Sequence, residues 1–103
     1  MEQAALPMVQ QIEDLLAHAE PSLADVEETL TQGYAEALAL EAERLRIERR
    51  LTEVARSATP AHTAELRSLG SRLNVADSEI VRLRTILGTL HDRARVLRAA
   101  AAR

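Results

Sequence analysis

Four carboxylates, Glu41, Glu43, Asp77 and Glu79, come nearest to a chemical pattern in this 103-residue chain. Gathered in space, such groups hold a divalent cation or share a proton as general acid and base. Arg44 stands beside the first two, and a guanidinium among carboxylates neutralises them instead. The residues are therefore read as a structural polar layer of Arg44, Glu41, Glu43, Asp77 and Glu79. The histidines point the same way. His18, His62 and His91 are far apart, with none at the four-residue spacing of a helical metal pair. They are assigned surface or capping roles. Cysteine is absent, which removes thiolate metal sites and disulfides. No nucleophile–base pair or glycine-rich loop accompanies these groups. The chain is read as a non-enzyme with no metal and no cofactor.

Arginine is the other chemically suggestive residue. All thirteen basic residues are Arg, and Lys does not occur, which we read as the codon usage of a GC-rich, bacterial genome. The first 43 residues carry −10 and the remainder +7. Residues 44–72 hold Arg44, Arg46, Arg49, Arg50, Arg56, Arg67 and Arg72 and sum to +4. Phosphate contacts would be one use of such a segment. Acids are interleaved, however, and the single aromatic, Tyr34, leaves no base-stacking platform. Nucleic acid or a nucleotide is thus the weaker reading. A solvated face, self-association or an acidic protein partner is preferred.

The elements that must position these groups are unusually explicit. Leu23, Val26, Leu30, Gly33, Ala37, Leu40, Arg44, Ile47, Leu51 and Val54 follow steps of three and four. Leu66, Leu69, Leu73, Ala76, Ile80, Leu83, Leu87, Leu90, Ala94 and Leu97 repeat those steps in mirror order about residue 60. An antiparallel two-helix coiled coil requires this mirror, because each a residue of one helix meets a d residue of the other. Val54 then faces Leu66, Gly33 faces Leu87, and Leu23 faces Leu97. Arg44 faces Ala76, whose small side chain leaves room for the arginine stem to reach outward. At the flanks, simple geometry predicts Glu27 against His91, Glu20 against Arg98 and Tyr34 against Arg84. It also predicts three like-charge pairs: Glu41 with Asp77, Glu43 with Glu79, and Arg50 with Arg72.

The predicted helices run from about 7 to 19, 22 to 57 and 60 to 100, in one helical domain spanning 1–103. Pro7 suits a first turn, and Met8, Ile12, Leu15 and Ala19 give the first helix its apolar face. Glu20-Pro21 ends that helix. Ser22 with Asp25, and Thr59 with Pro60, supply starts for the next two. Met1-Glu2-Gln3 lacks the basic start of a signal peptide, and no apolar run reaches the ~20 residues of a membrane span. A cytoplasmic location is expected.

Apolar residues remain off the seam: Tyr34, Leu38 and Leu45 on the second helix, and Val75, Val81, Ile86 and Val96 on the third. The first helix is expected to cover Tyr34 and Leu38 with Met8, Ile12 and Leu15 and to stop short of Leu45. Tyr34, Leu38, Leu45, Val75, Val81 and Ile86 are assigned to a partner interface. The fold expectation is all-α: a short N-terminal helix plus a long antiparallel coiled-coil hairpin, dimerising into a helical bundle. The functional expectation is a self-associating protein–protein interaction module acting as a regulator, adaptor or scaffold. The alternative is a transcription regulator of anti-sigma or polymerase-binding hairpin type. Polymerase-channel hairpins carry acids at the tip, whereas Ser57-Ala58-Thr59-Pro60-Ala61 has none. The cyclic-di-GMP-responsive anti-sigma motif E-x3-S-x2-R fits Glu53 and Ser57 but meets Pro60 at its arginine place, so neither group is assigned.

Overall fold

The computed structural model describes residues 6–57 and 59–103, with Leu6 described by its backbone alone. Met1, Glu2 and Gln3, and Ala58 of the tip, lie outside the described residues. The fold is an all-α hairpin. Helix α1 (Leu6–Ala17) precedes the long helices α2 (Leu23–Arg56) and α3 (Thr63–Ala101), which pack antiparallel. One 3-10 turn, Pro60–His62, leads into α3 at the hairpin tip. The molecule is a rod of 65 × 22 × 15 Å. Its radius of gyration of 18.2 Å exceeds the ~13 Å of a compact chain this long. No helix among the described residues is long and apolar enough to cross a membrane.

Local chemistry sets the helix ends. Ser22 is extended, and its Oγ accepts from the Asp25 N–H at 3.1 Å, relieving one of the donors orphaned at a helix start. Helix α1 stops at Ala17, two residues earlier than periodicity alone suggests. A last turn, closed by His18 N–H on the Leu15 carbonyl, precedes the Glu20-Pro21 break. At the tip, Thr59 caps the short turn and not α3, and its hydroxyl makes no bond to a backbone N–H. His62 Nδ1 instead lies 3.3 Å from Thr59 Oγ1 and 3.1 Å from the Ser57 carbonyl. A carbonyl only accepts, so Nδ1 carries the hydrogen. His62 thus ties the end of α2 to the start of α3.

Every residue of the mirrored seam is buried or half-buried. Gly33 lies directly against Leu87, which anchors the register that the mirror requires. The core is interrupted once. One cluster, built on Val26, Leu30, Ala37, Leu40, Leu83, Leu87, Leu90 and Ala94, fills the base of the rod. A smaller one, Ile47, Val54, Leu69 and Ala76, fills the tip half. Arg44 occupies the seam position between Leu40 and Ile47 and marks the boundary.

Helix α1 runs antiparallel to α2 and parallel to α3. Gln11 Nε2 donates to Gln32 Oε1, Glu13 pairs with Arg82, and Arg93 donates to the Ala19 carbonyl. The helix enters the base core through Val9 and Ile12, with Met8, Leu15 and Leu16 half-buried around them. Periodicity points to Met8, Ile12, Leu15 and Ala19; in the structure Val9 is a principal anchor and Ala19 falls beyond the helix.

Candidate functional site

The side of the seam that α1 occupies decides which apolar residues remain open. Its neighbours Gln32, Arg82 and Arg93 all lie on one flank of the hairpin, where Thr29 is buried and Ile86 joins the base core. Tyr34 and Leu38 lie on the other flank. The expectation that α1 covers Tyr34 and Leu38 is therefore corrected: Tyr34 is 38% and Leu38 61% exposed. Among the six residues assigned to a partner interface, Ile86 is instead part of the fold. Val75 stands on the α1 flank, by a small cavity lined with Ser68, Ser71 and Arg72. Leu45 (44%) and Val81 (65%) share the open flank with Tyr34 and Leu38. Leu38 and Leu45 are seven residues apart, so they form one line along α2. Beside Leu45 runs a shallow groove formed by Glu48, Arg49, Thr52, Glu53 and Arg56.

The polar layer is narrower than the sequence suggests. Arg44 Nε donates to Asp77 Oδ1, and Nη1 donates to Glu48 Oε2 at 2.8 Å. Glu48 lies one helical turn beyond Arg44 and joins the layer in addition to the partners that the sequence predicts. Asp77 first, then Glu48, holds the Arg44 guanidinium charged beyond its ordinary range. Glu41 is drawn away to Arg84, whose Nε donates to it at 3.0 Å. Glu43 accepts from Arg46 and Arg72, and Glu79 is buried. Among the described residues no group of three or more His, Asp or Glu side chains converges as a metal site.

The flanking ion pairs differ from those predicted by simple geometry, each by one heptad. Glu27 pairs with Arg98 at 3.6 Å, not with His91, and Glu41 pairs with Arg84, not with Asp77. Helical side chains tilt toward their own N-terminus. In antiparallel helices that tilt brings Glu27 and Arg98 together and turns Glu27 away from His91. On the opposite flank, Glu43 reaches Arg72 and Arg50 reaches Glu65 at 2.9 Å. Here the long side chains swing toward opposite charge, and the like pairs Glu43–Glu79 and Arg50–Arg72 are avoided. Glu65, with a smaller contribution from Glu53, raises the Arg50 pKa above its usual range. These pairs are exposed, so each contributes little to stability.

Their larger consequence is the charge they leave over. Arg44, Arg46, Arg50 and Arg72 of the basic half are paired. Arg49, Arg56 and Arg67 make no ion pair among the described residues, while the acids of that half, Glu48, Glu53 and Glu65, are all engaged. At the base the balance reverses. Asp14, Glu20, Asp25, Glu28 and Glu36 are without an ion pair among the described residues, against two arginines, Arg93 and Arg103, while Arg82, Arg84, Arg95 and Arg98 are engaged. The folded rod thus has a cationic tip half and an anionic base, with an apolar line between them on the open flank. No family model, curated protein or solved structure matches this chain.

Proposed function

We propose that this protein is a non-enzymatic interaction module that self-associates through its open flank and acts as an adaptor, scaffold or regulator in the bacterial cytoplasm. The carrying observation is the exposure of Leu38, Leu45 and Val81 on the flank that α1 leaves bare. A hairpin face with no third helix over it gains by burying such a line against another helix. The bacterial setting rests on the Lys-free, Arg-rich composition. Light scattering across a concentration series tests the reading. The wild-type chain is expected to exceed its monomer mass of 11.3 kDa, and Leu45→Glu with Val81→Glu is expected to return it to that mass. A wild-type chain that stays monomeric throughout would remove self-association.

A second reading rests on the unpaired Arg49, Arg56 and Arg67. An acidic protein surface, as in regulators that place a hairpin on the transcription machinery, would engage them. Charge reversal at these three positions would then abolish binding to that protein and leave hairpin stability unchanged. Nucleic acid is the remaining taker, and steep loss of oligonucleotide binding with salt would identify it.

A further inference from the structure

We infer that the occupant of the open flank is a second copy of this chain, packed antiparallel about a two-fold axis at the level of Glu41 and Ala42. The inference deepens the self-association reading and rests on it. In an antiparallel face-to-face dimer, α2 lies over α2 of the partner and α3 over α3. Leu38 and Leu45 stand on one line, equally far from the point between Glu41 and Ala42. The two-fold therefore lays Leu38 on Leu45 of the partner subunit, and it does so twice. Tyr34 reaches the groove at Arg49 of the partner subunit, where a guanidinium on an aromatic face is favourable. Glu41, closest to the axis, is already neutralised by Arg84.

Helix α3 has its own symmetric feature at the same level. Gly70 and Gly88 are helical and exposed or half-exposed, and an added Cβ at either meets nothing within 4 Å. Neither glycine is required by packing within the chain. Their midpoint is Glu79, one residue from Ile80, which faces Leu40 across the seam. The centres on α2 and α3 thus coincide, near the middle of the rod. With the axis there, each Gly88 lies over Gly70 of the partner subunit, and two α3 backbones can approach closely. Val81 sits between the glycines, beside the axis.

Charge selects the direction. The residual cations Arg49, Arg56 and Arg67 lie in the tip half and the residual anions at the base, where Asp25 and Glu28 line the α1 side with Gln11, Thr29 and Gln32 and so bias the direction by level along the rod, not by direct contact. An antiparallel pair sets Arg56 at the level of Glu28 of the partner subunit. A parallel pair would set the two cationic halves, and the two anionic bases, at the same level.

Two measurements test this. First, single nitroxide labels at exposed Ala61 (tip) and Ala99 (base) report distances by pulsed electron resonance. At 1.5 Å per residue, two Ala61 labels should lie about 50 Å apart and two Ala99 labels about 60 Å, while an Ala61–Ala99 pair in a mixed dimer should lie within about 25 Å. A dimer with short Ala61–Ala61 distances overturns the antiparallel arrangement and leaves self-association standing; a chain that never dimerises overturns both. Second, Leu38→Arg alone or Leu45→Glu alone should weaken the dimer by about 100-fold, and the two together should recover most of that loss. Within one chain these positions are two turns apart and do not touch, so recovery reports their meeting across the axis. Additive loss in the double variant overturns the Leu38–Leu45 pairing. Helicity by circular dichroism confirms that each variant still folds.

Discussion

Replacing Gly33 by alanine separates helix propensity from packing within this one hairpin. Ala is worth about 1 kcal/mol more than Gly in a helix interior. At Gly33 the new Cβ would overlap the Leu87 side chain and come within 3.7 Å of Ile12 Cδ1. Leu87 is 1% and Ile12 0% exposed, so neither can swing into solvent. One must leave its rotamer, or α1 and α3 must retreat from α2. Overpacking of this kind costs about 1–3 kcal/mol, and the net effect is a loss of up to about 2 kcal/mol. Gly88→Ala has open space around it and should keep the full gain of about 1 kcal/mol. Thermal melts followed by circular dichroism in dilute solution resolve the difference, since 1 kcal/mol moves Tm by about 4–8 °C in a domain of this size. Adding Leu87→Ala should cost less in the Gly33→Ala background than alone, because the new methyl fills part of the cavity. Equal stabilisation by Gly33→Ala and Gly88→Ala would refute the reasoning and with it the Gly33–Leu87 apposition.

Three further predictions concern the elements that shape the open flank. Ile12→Ala removes a fully buried anchor of α1 and should cost about 2–4 kcal/mol by chemical denaturation; a change below 0.5 kcal/mol, as at an ordinary surface site, would mean that α1 does not dock. Ser22→Ala loses the bond to the Asp25 N–H and should cost about 1 kcal/mol, with Ser22→Asp near neutral; equal melting of all three chains would count against the cap. Arg44→Leu joins the base and tip clusters into one apolar seam and should raise the urea midpoint, since replacing a paired charge by a packed hydrophobe is often stabilising. A lowered midpoint would show that the bonds to Asp77 and Glu48 outweigh that continuity.

The seam is legible in the sequence because its signal is short-range and redundant. Each of twenty positions repeats the same steps of three and four, and a register shift by one heptad would move Gly33 off Leu87. The flanking pairs are less legible because Arg and Glu side chains can span a full heptad. Position predicts a nearest neighbour, and charge selects among neighbours. Glu43 illustrates this by passing over Glu79 for Arg46 and Arg72. The polar layer is legible as Arg44 with Asp77. Glu48 is a local partner that the seam pattern does not reveal, although a four-residue Arg–Glu spacing on a helix is itself a pairing signal.

The side that α1 chooses is the hardest feature to read, and it defines the candidate site. The flanks of the base carry Thr29 with Ile86 on one side and Tyr34 with Leu38 on the other, and counting hydrophobes alone would favour the second. What separates them is shape and end chemistry. Ile86 is a compact aliphatic side chain at a flanking position of α3, and it extends the groove into which Val9 and Ile12 insert beside Gly33 and Leu87. Gly33 makes that groove deep, since any larger residue would displace Leu87. Tyr34, by contrast, carries a hydroxyl that remains better solvated on an open surface. Gln11 with Gln32, and Arg93 with the Ala19 carbonyl, then satisfy polar groups at the edges of the docked helix. Gly33 together with Ile86 thus marks the flank on which α1 docks. Once α1 is on that flank, Leu38, Leu45 and Val81 are left with no cover from their own chain.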